Sequence, residues 1–144
     1  AIVAGASKEC QDAIYDYGRD LGIAFQLQDD YLDAFGDPET FGKQVGGDII
    51  ENKKTFLYLT ALQKSQKDEA RQLEHLFSIT PNNPAEKIET VKQQFIESGA
   101  AKATQEEMEK YTQRAFKSLE SVAISEEKKQ LLRDFGNNLM KRTV

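Results

Sequence analysis

Apolar residues recur along this chain at helical spacing, and no period-two strand pattern survives anywhere. The longest pattern runs from Lys8 to about Phe35. Its first half carries one stripe, Cys10, Ile14, Tyr17 and Leu21. Beyond Leu21, the residues Ile23, Ala24, Phe25, Leu27, Tyr31, Leu32, Ala34 and Phe35 make it apolar almost all round, which predicts a buried helix. Ser7 is placed to cap it, although Cys10 stands where a capping box would have Glu. Gly18 and Gly22, one turn apart, are read as points of close helix packing, and Gly36-Asp37-Pro38 ends the helix.

Residues 38–47 read as a loop. Lys53–Ser65 then predicts a second helix, largely buried through Phe56, Leu57, Leu59, Ala61 and Leu62, with Thr55 as a packing residue or a cap. A short polar helix over Lys67–Phe77 carries His75, read as a surface residue. Pro81-Asn82-Asn83-Pro84 is a loop. Ala85–Ser98 follows with Ile88, Val91, Phe95 and Ile96, and Gly99 stops it. Two more amphipathic helices run over Ala100–Leu119, with Met108, Tyr111, Ala115, Phe116 and Leu119, and over Glu126–Met140, with Leu131, Leu132, Phe135 and Leu139. Ser125 before Glu126 and Glu127 starts the last. The fold class is all-α, with about six helices.

Composition narrows the function classes. The chain has 144 residues, 39% hydrophobic and 30% charged, in keeping with one soluble helical domain. A net charge of −5 does not favour a nucleic-acid surface, and Lys141 and Arg142 alone make no basic tail. With one cysteine, Cys10, no disulfide forms within the chain, and a cytoplasmic setting is expected. No apolar run reaches the length of a membrane span. The opening AIVAGAS reads as the tail of a small-residue apolar helix, which points to a truncated chain.

The candidate chemistry lies between Gly22 and Lys53. At about 100° per residue, Gln26, Asp29, Asp30 and Asp33 share roughly 100° of arc. Three carboxylates on the one polar stripe of an apolar helix repel each other, and no Lys or Arg in that turn relieves them. The stripe is either a solvated face or a cation site, and this helix alone leaves both open. Burial of unpaired carboxylates is costly unless a cation sits among them, and magnesium, which takes oxygen ligands and phosphate, is the natural one. The following turn tips the balance: Gly42, Gly46 and Gly47 lie between or beside Lys43 and Lys53. Glycines let backbone approach a ligand, and lysine suits phosphate. The sum is a metal–diphosphate site. Two rivals fail. The run from Gly36 to Lys43 is one residue too long for a Walker loop and has Gln44 where Ser or Thr is required. In Asp29–Asp37, Tyr31 occupies a position where a calcium loop needs oxygen.

FQLQDDYLDAFGD followed by GKQVGGDIIENKKT resembles the second aspartate-rich region of the polyprenyl diphosphate synthases, the trans-isoprenyl diphosphate synthases. The match is specific over about residues 18–62. The resemblance implies the isoprenoid synthase helical fold. It also implies a magnesium-dependent prenyltransferase that joins an allylic diphosphate to isopentenyl diphosphate with release of pyrophosphate, as a homodimer in the complete enzyme. By analogy Asp29 is the main magnesium ligand and Asp33 assists. Asp30 holds water or a lysine. Lys43 and Lys53 contact the allylic diphosphate, Gln26 lies near the allylic group, and Phe25 lines the cavity. Asp48 orients a lysine or a water. The family carries two aspartate-rich clusters and this chain only the second; the Lys-Thr pair that precedes this region in the family is missing too. The expectation is therefore the C-terminal portion of one synthase domain, inactive alone. The alternative is a non-catalytic binding or subunit module of the same fold.

Overall fold

A computed structural model describes residues 8–36 and 46–141. All regular structure among them is helical: α1 (Lys8–Phe35), α2 (Gly47–Ile50), α3 (Phe56–Lys64), α4 (Lys67–Leu76), α5 (Ala85–Glu97), α6 (Ala100–Glu120) and α7 (Glu126–Leu139). The all-α expectation holds. The extra helix is α2, four residues inside the glycine-rich turn. Ser7, the AIVAGAS opening, Asp37, Pro38, Gly42 and Lys43 lie outside the described residues.

The described residues divide into two compact units, one of residues 8–26 with 107–141, the other of residues 27–36 with 46–106. In the second unit, α2, α3, α4 and α5 meet around Ile49, Leu57, Ala61, Leu73, Val91 and Phe95. Burying such a side chain contributes about 1.5–3 kcal/mol. The rings of Tyr58 and Phe77 lie 4.2 Å apart, and Phe35 meets Phe95 edge-on. Helix α3 begins at Phe56 rather than Lys53. Residues 53–55 are not helical, and the buried Thr55 caps α3 by accepting the Tyr58 N–H at 3.4 Å. Thr55 is thus both packing residue and cap.

The first unit closes around Tyr17, Leu21, Ala115 and Leu119, with Phe116, Leu132 and Leu139 against them. The Tyr17 hydroxyl donates to the Leu132 carbonyl and ties α1 to α7. Arg133 of α7 pairs with Glu120 at the end of α6 at 2.6 Å and, within α7, with Glu126 at 2.8 Å. Ser125 caps α7 through the Lys128 N–H, as expected.

Several expectations about faces change. Leu131 is 66% and Phe135 60% exposed, so half of the α7 stripe faces outward. Leu59 and Ile96 are likewise exposed; the buried face of α5 is Lys87, Val91, Gln94 and Phe95. A methyl group built on Gly18 or Gly22 meets nothing within 4 Å, so these glycines serve no close packing among the described residues. Cys10 is buried, His75 is exposed, and no helix among the described residues is long and apolar enough to cross a membrane.

Candidate functional site

The second unit brings four of the candidate residues together. Asp30 is buried, and the Lys53 ammonium lies 3.5 Å from its Oδ1 and 3.9 Å from Asp48 Oδ2. Asp33 Oδ1 accepts the backbone N–H of Asp48 at 2.8 Å, and the Asp33 carbonyl accepts the N–H of Gly46 at 2.5 Å. One aspartate of α1 therefore fixes the start of α2, whose first N–H groups have no partner within the helix.

The local sequence explains the placement. Gly46 has φ 90°, a conformation glycine adopts without strain, and sits against Ile88 where a methyl group would come within 3.0 Å. Ile49 anchors α2 in the core. Asn52, with φ 60°, then reverses the chain, and the Lys53 N–H donates to the Asp48 carbonyl at 2.8 Å. Lys53 is thereby returned over Asp48 with its side chain half-exposed.

Charge is crowded here. Burial pushes the Asp48 carboxyl up to about 6, with Asp33, Asp30 and Asp29 adding to the rise and Lys53 opposing it. For Lys53, burial pulls downward, yet Asp30, Asp48 and Asp29 outweigh it and hold the ammonium above its ordinary value. Among the described residues, no three acids, imidazoles or thiols stand close enough to hold a metal ion alone. A magnesium ion does not require that, since it keeps waters and takes substrate oxygens alongside one or two carboxylates. The donor set fits it: an excess of hard oxygen charge, with Asp33 engaged through Oδ1 and Asp29 only half-buried.

Gln26, exposed, and Phe25, half-buried, belong to the other unit, and Lys43 lies outside the described residues. Two residues escaped the sequence reading. Asn52 supplies the left-handed turn before Lys53, and Lys87 is buried with its ammonium on Asn52 Oδ1 and on the Ile79 carbonyl. The available signal for Lys87 was its place one turn before Val91, on the buried stripe of α5.

Residues 1–96, which include the whole of this site, match the family model described as polyprenyl synthetase. The chain belongs to the polyprenyl synthetase family. It is 34% identical over 143 residues to the geranylfarnesyl diphosphate synthase of Natronomonas pharaonis, a match covering 99% of this chain and 40% of that one. A crystal structure of a geranylgeranyl pyrophosphate synthase superposes with a TM-score of 0.84 at 52% identity, covering 98% of this chain and 44% of that one. The geranylgeranyl pyrophosphate synthase of Corynebacterium glutamicum, complexed with isoprenyl diphosphate and magnesium, also gives a TM-score of 0.84, at 33% identity over 96% of this chain and 39% of its own. The chain thus spans less than half the length of these polyprenyl synthetase relatives.

Proposed function

We propose that this chain supplies the second aspartate-rich, diphosphate-binding part of a prenyltransferase that condenses an allylic diphosphate with isopentenyl diphosphate. The observation that carries this reading is the Asp30–Lys53–Asp48 cluster, a half-exposed lysine set among carboxylates that outnumber it. Magnesium, when bound, neutralises charge on the diphosphate leaving group. Asp29 and Asp33 would hold it. Asp33 also accepts the Asp48 N–H through Oδ1, which ties the acid stripe of α1 to α2.

The chain's own residues do the rest. Asp30 and Asp48 keep the Lys53 ammonium protonated and aimed, so that it donates to diphosphate oxygens as the bond to the allylic carbon breaks. Lys43 shares that task, Gln26 lies near the allylic group and Phe25 lines the cavity; for these three the resemblance alone is the support. The chain spans under half of its relatives, and the first aspartate-rich cluster is not in its sequence. Turnover therefore belongs to a complete synthase, acting as a homodimer in the cytoplasm, and this chain alone is inactive.

Calorimetric titration with inorganic pyrophosphate and with geranyl diphosphate, with and without magnesium, tests the reading. Binding that requires magnesium, is lost in a folded Asp29→Ala variant and is weakened but still measurable in Lys53→Ala is expected. Absence of magnesium-dependent binding would sink it and leave the non-catalytic module, and prenyl transfer by the purified chain would overturn the claim that it is inactive alone.

A further inference from the structure

Lys87 poses a problem that packing does not solve. Its side chain is buried on α5, and its ammonium meets two neutral oxygens, Asn52 Oδ1 and the Ile79 carbonyl, the latter at 2.8 Å. It also faces the ring of Phe77, 5.8 Å from the centroid. Burial alone pushes the ammonium below its ordinary value. A methionine or leucine would fill such a place without the cost of desolvating a charge. What lysine adds is donors pointing at two separate segments. One is the turn after α2, the other the stretch after α4. Asn52 closes the triangle, its own amide nitrogen donating to the same Ile79 carbonyl at 3.3 Å.

The held residue is the one that sets the course of the chain into the site. Asn52 is the single non-glycine residue with positive φ among the described residues, at 60°. Asparagine enters that region more readily than most side chains, but only as an isolated residue held by its surroundings. Its C-terminal neighbour is Lys53. The Asn52 N–H donates to the Ile49 carbonyl at 3.2 Å and the Lys53 N–H to the Asp48 carbonyl at 2.8 Å, so this one turn determines where the Lys53 side chain starts. From that start the ammonium reaches Asp30 and Asp48.

We propose that Lys87 is a positioning residue for Lys53: by holding Asn52 in its left-handed turn, it fixes the diphosphate-facing lysine over Asp30 and Asp48. The proposal rests on the reading of Lys53 given above. Lys87 itself touches no diphosphate in it; the effect passes through the Asn52 side chain and one peptide unit.

Native-state amide exchange and magnesium-pyrophosphate affinity, measured together, decide it. In Lys87→Met the Asn52 and Lys53 amides should exchange about tenfold faster while those of Leu73 and Phe95 keep their rates. Affinity should fall about tenfold, and by less than about twofold when Lys87→Met is made in a Lys53→Ala background. Asn52→Gly, which permits the left-handed conformation but no longer tethers it to Lys87, should reproduce both changes, and it carries the test if Lys87→Met does not fold. Unchanged exchange at Lys53, or an affinity loss that persists without the Lys53 ammonium, overturns the positioning role. If the unaltered chain binds no magnesium-pyrophosphate, the functional reading falls, while the exchange rates still decide whether Lys87 places Lys53.

Discussion

The carboxylate of Asp33 on α1 accepts the backbone N–H of Asp48 at 2.8 Å, so a candidate metal ligand is also the cap of the short helix beside it. The two roles separate by substitution. Asp33→Ala removes the acceptor and should lower unfolding free energy by about 1–2 kcal/mol, as loss of a helix cap does. Asp33→Asn keeps an acceptor oxygen and should stay within about 0.5 kcal/mol of the parent, yet lose most of the magnesium-dependent affinity. Urea denaturation and magnesium titration of the two variants check this. An Asn variant that binds magnesium as well as the parent would restrict Asp33 to capping.

Asp48 gives the pH dependence. Its folded-state value of about 6 lies above the ordinary 3.8, through burial first and then Asp33, so the folded chain binds its proton more tightly than the unfolded one. The ionised carboxylate is therefore a cost to the fold. That cost is fully present above pH 6 and gone below pH 3.8. Asp48→Asn should stabilise the chain by on the order of 1–3 kcal/mol near about pH 8, and the gain should vanish near about pH 4. Denaturation of both proteins at the two pH values measures it; an equal gap at both would place the Asp48 carboxyl in the ordinary range.

Where a single helix carries the signal, the sequence is legible. The apolar circumference of α1 and the helical spacing through α3 to α7 predict the architecture, and the acid stripe with Lys53 picks out the residues that meet. What could not be read is partnership across space. Helix α2 has four residues, too few for a periodic pattern, so nothing in the sequence joins Asp33 to the Asp48 N–H. Lys87 looks like any lysine of an amphipathic helix until Asn52 and Ile79 are seen around its ammonium. A stripe also says which face is apolar, not whether it is covered. Leu132 is packed while Leu131 and Phe135 of the same stripe are exposed.

Gly46 tests how tightly the turn before α2 is held. Alanine there would meet two obstacles, a φ of 90° and the Ile88 side chain at 3.0 Å. Gly46→Ala should destabilise by about 2–3 kcal/mol, the sum of backbone strain and overpacking. Pairing it with Ile88→Ala removes the clash but not the strain. Relative to Ile88→Ala alone, the Gly46 change should then cost only about 1 kcal/mol. A cost unchanged by the Ile88 truncation would put the whole effect in the backbone.

At Gly136 packing opposes the preference of the helix. It lies inside α7, where replacing glycine by alanine ordinarily gains about 1 kcal/mol. Here an added methyl group would run into the Tyr17 hydroxyl and come within 3.0 Å of the Phe116 ring. Tyr17 cannot simply retreat, because its hydroxyl donates to the Leu132 carbonyl and its ring packs edge-on to Phe116 at 5.8 Å. Gly136→Ala should therefore destabilise by about 1–3 kcal/mol. Tyr17→Phe removes the obstructing oxygen and forfeits one hydrogen bond, costing about 1 kcal/mol by itself. Combined, the two should be better than additive by about 1 kcal/mol or more, because the second change removes the clash created by the first. Denaturation of the four proteins of this cycle gives the coupling directly. Simple additivity would mean that α7 yields to the methyl group instead of pressing on Tyr17.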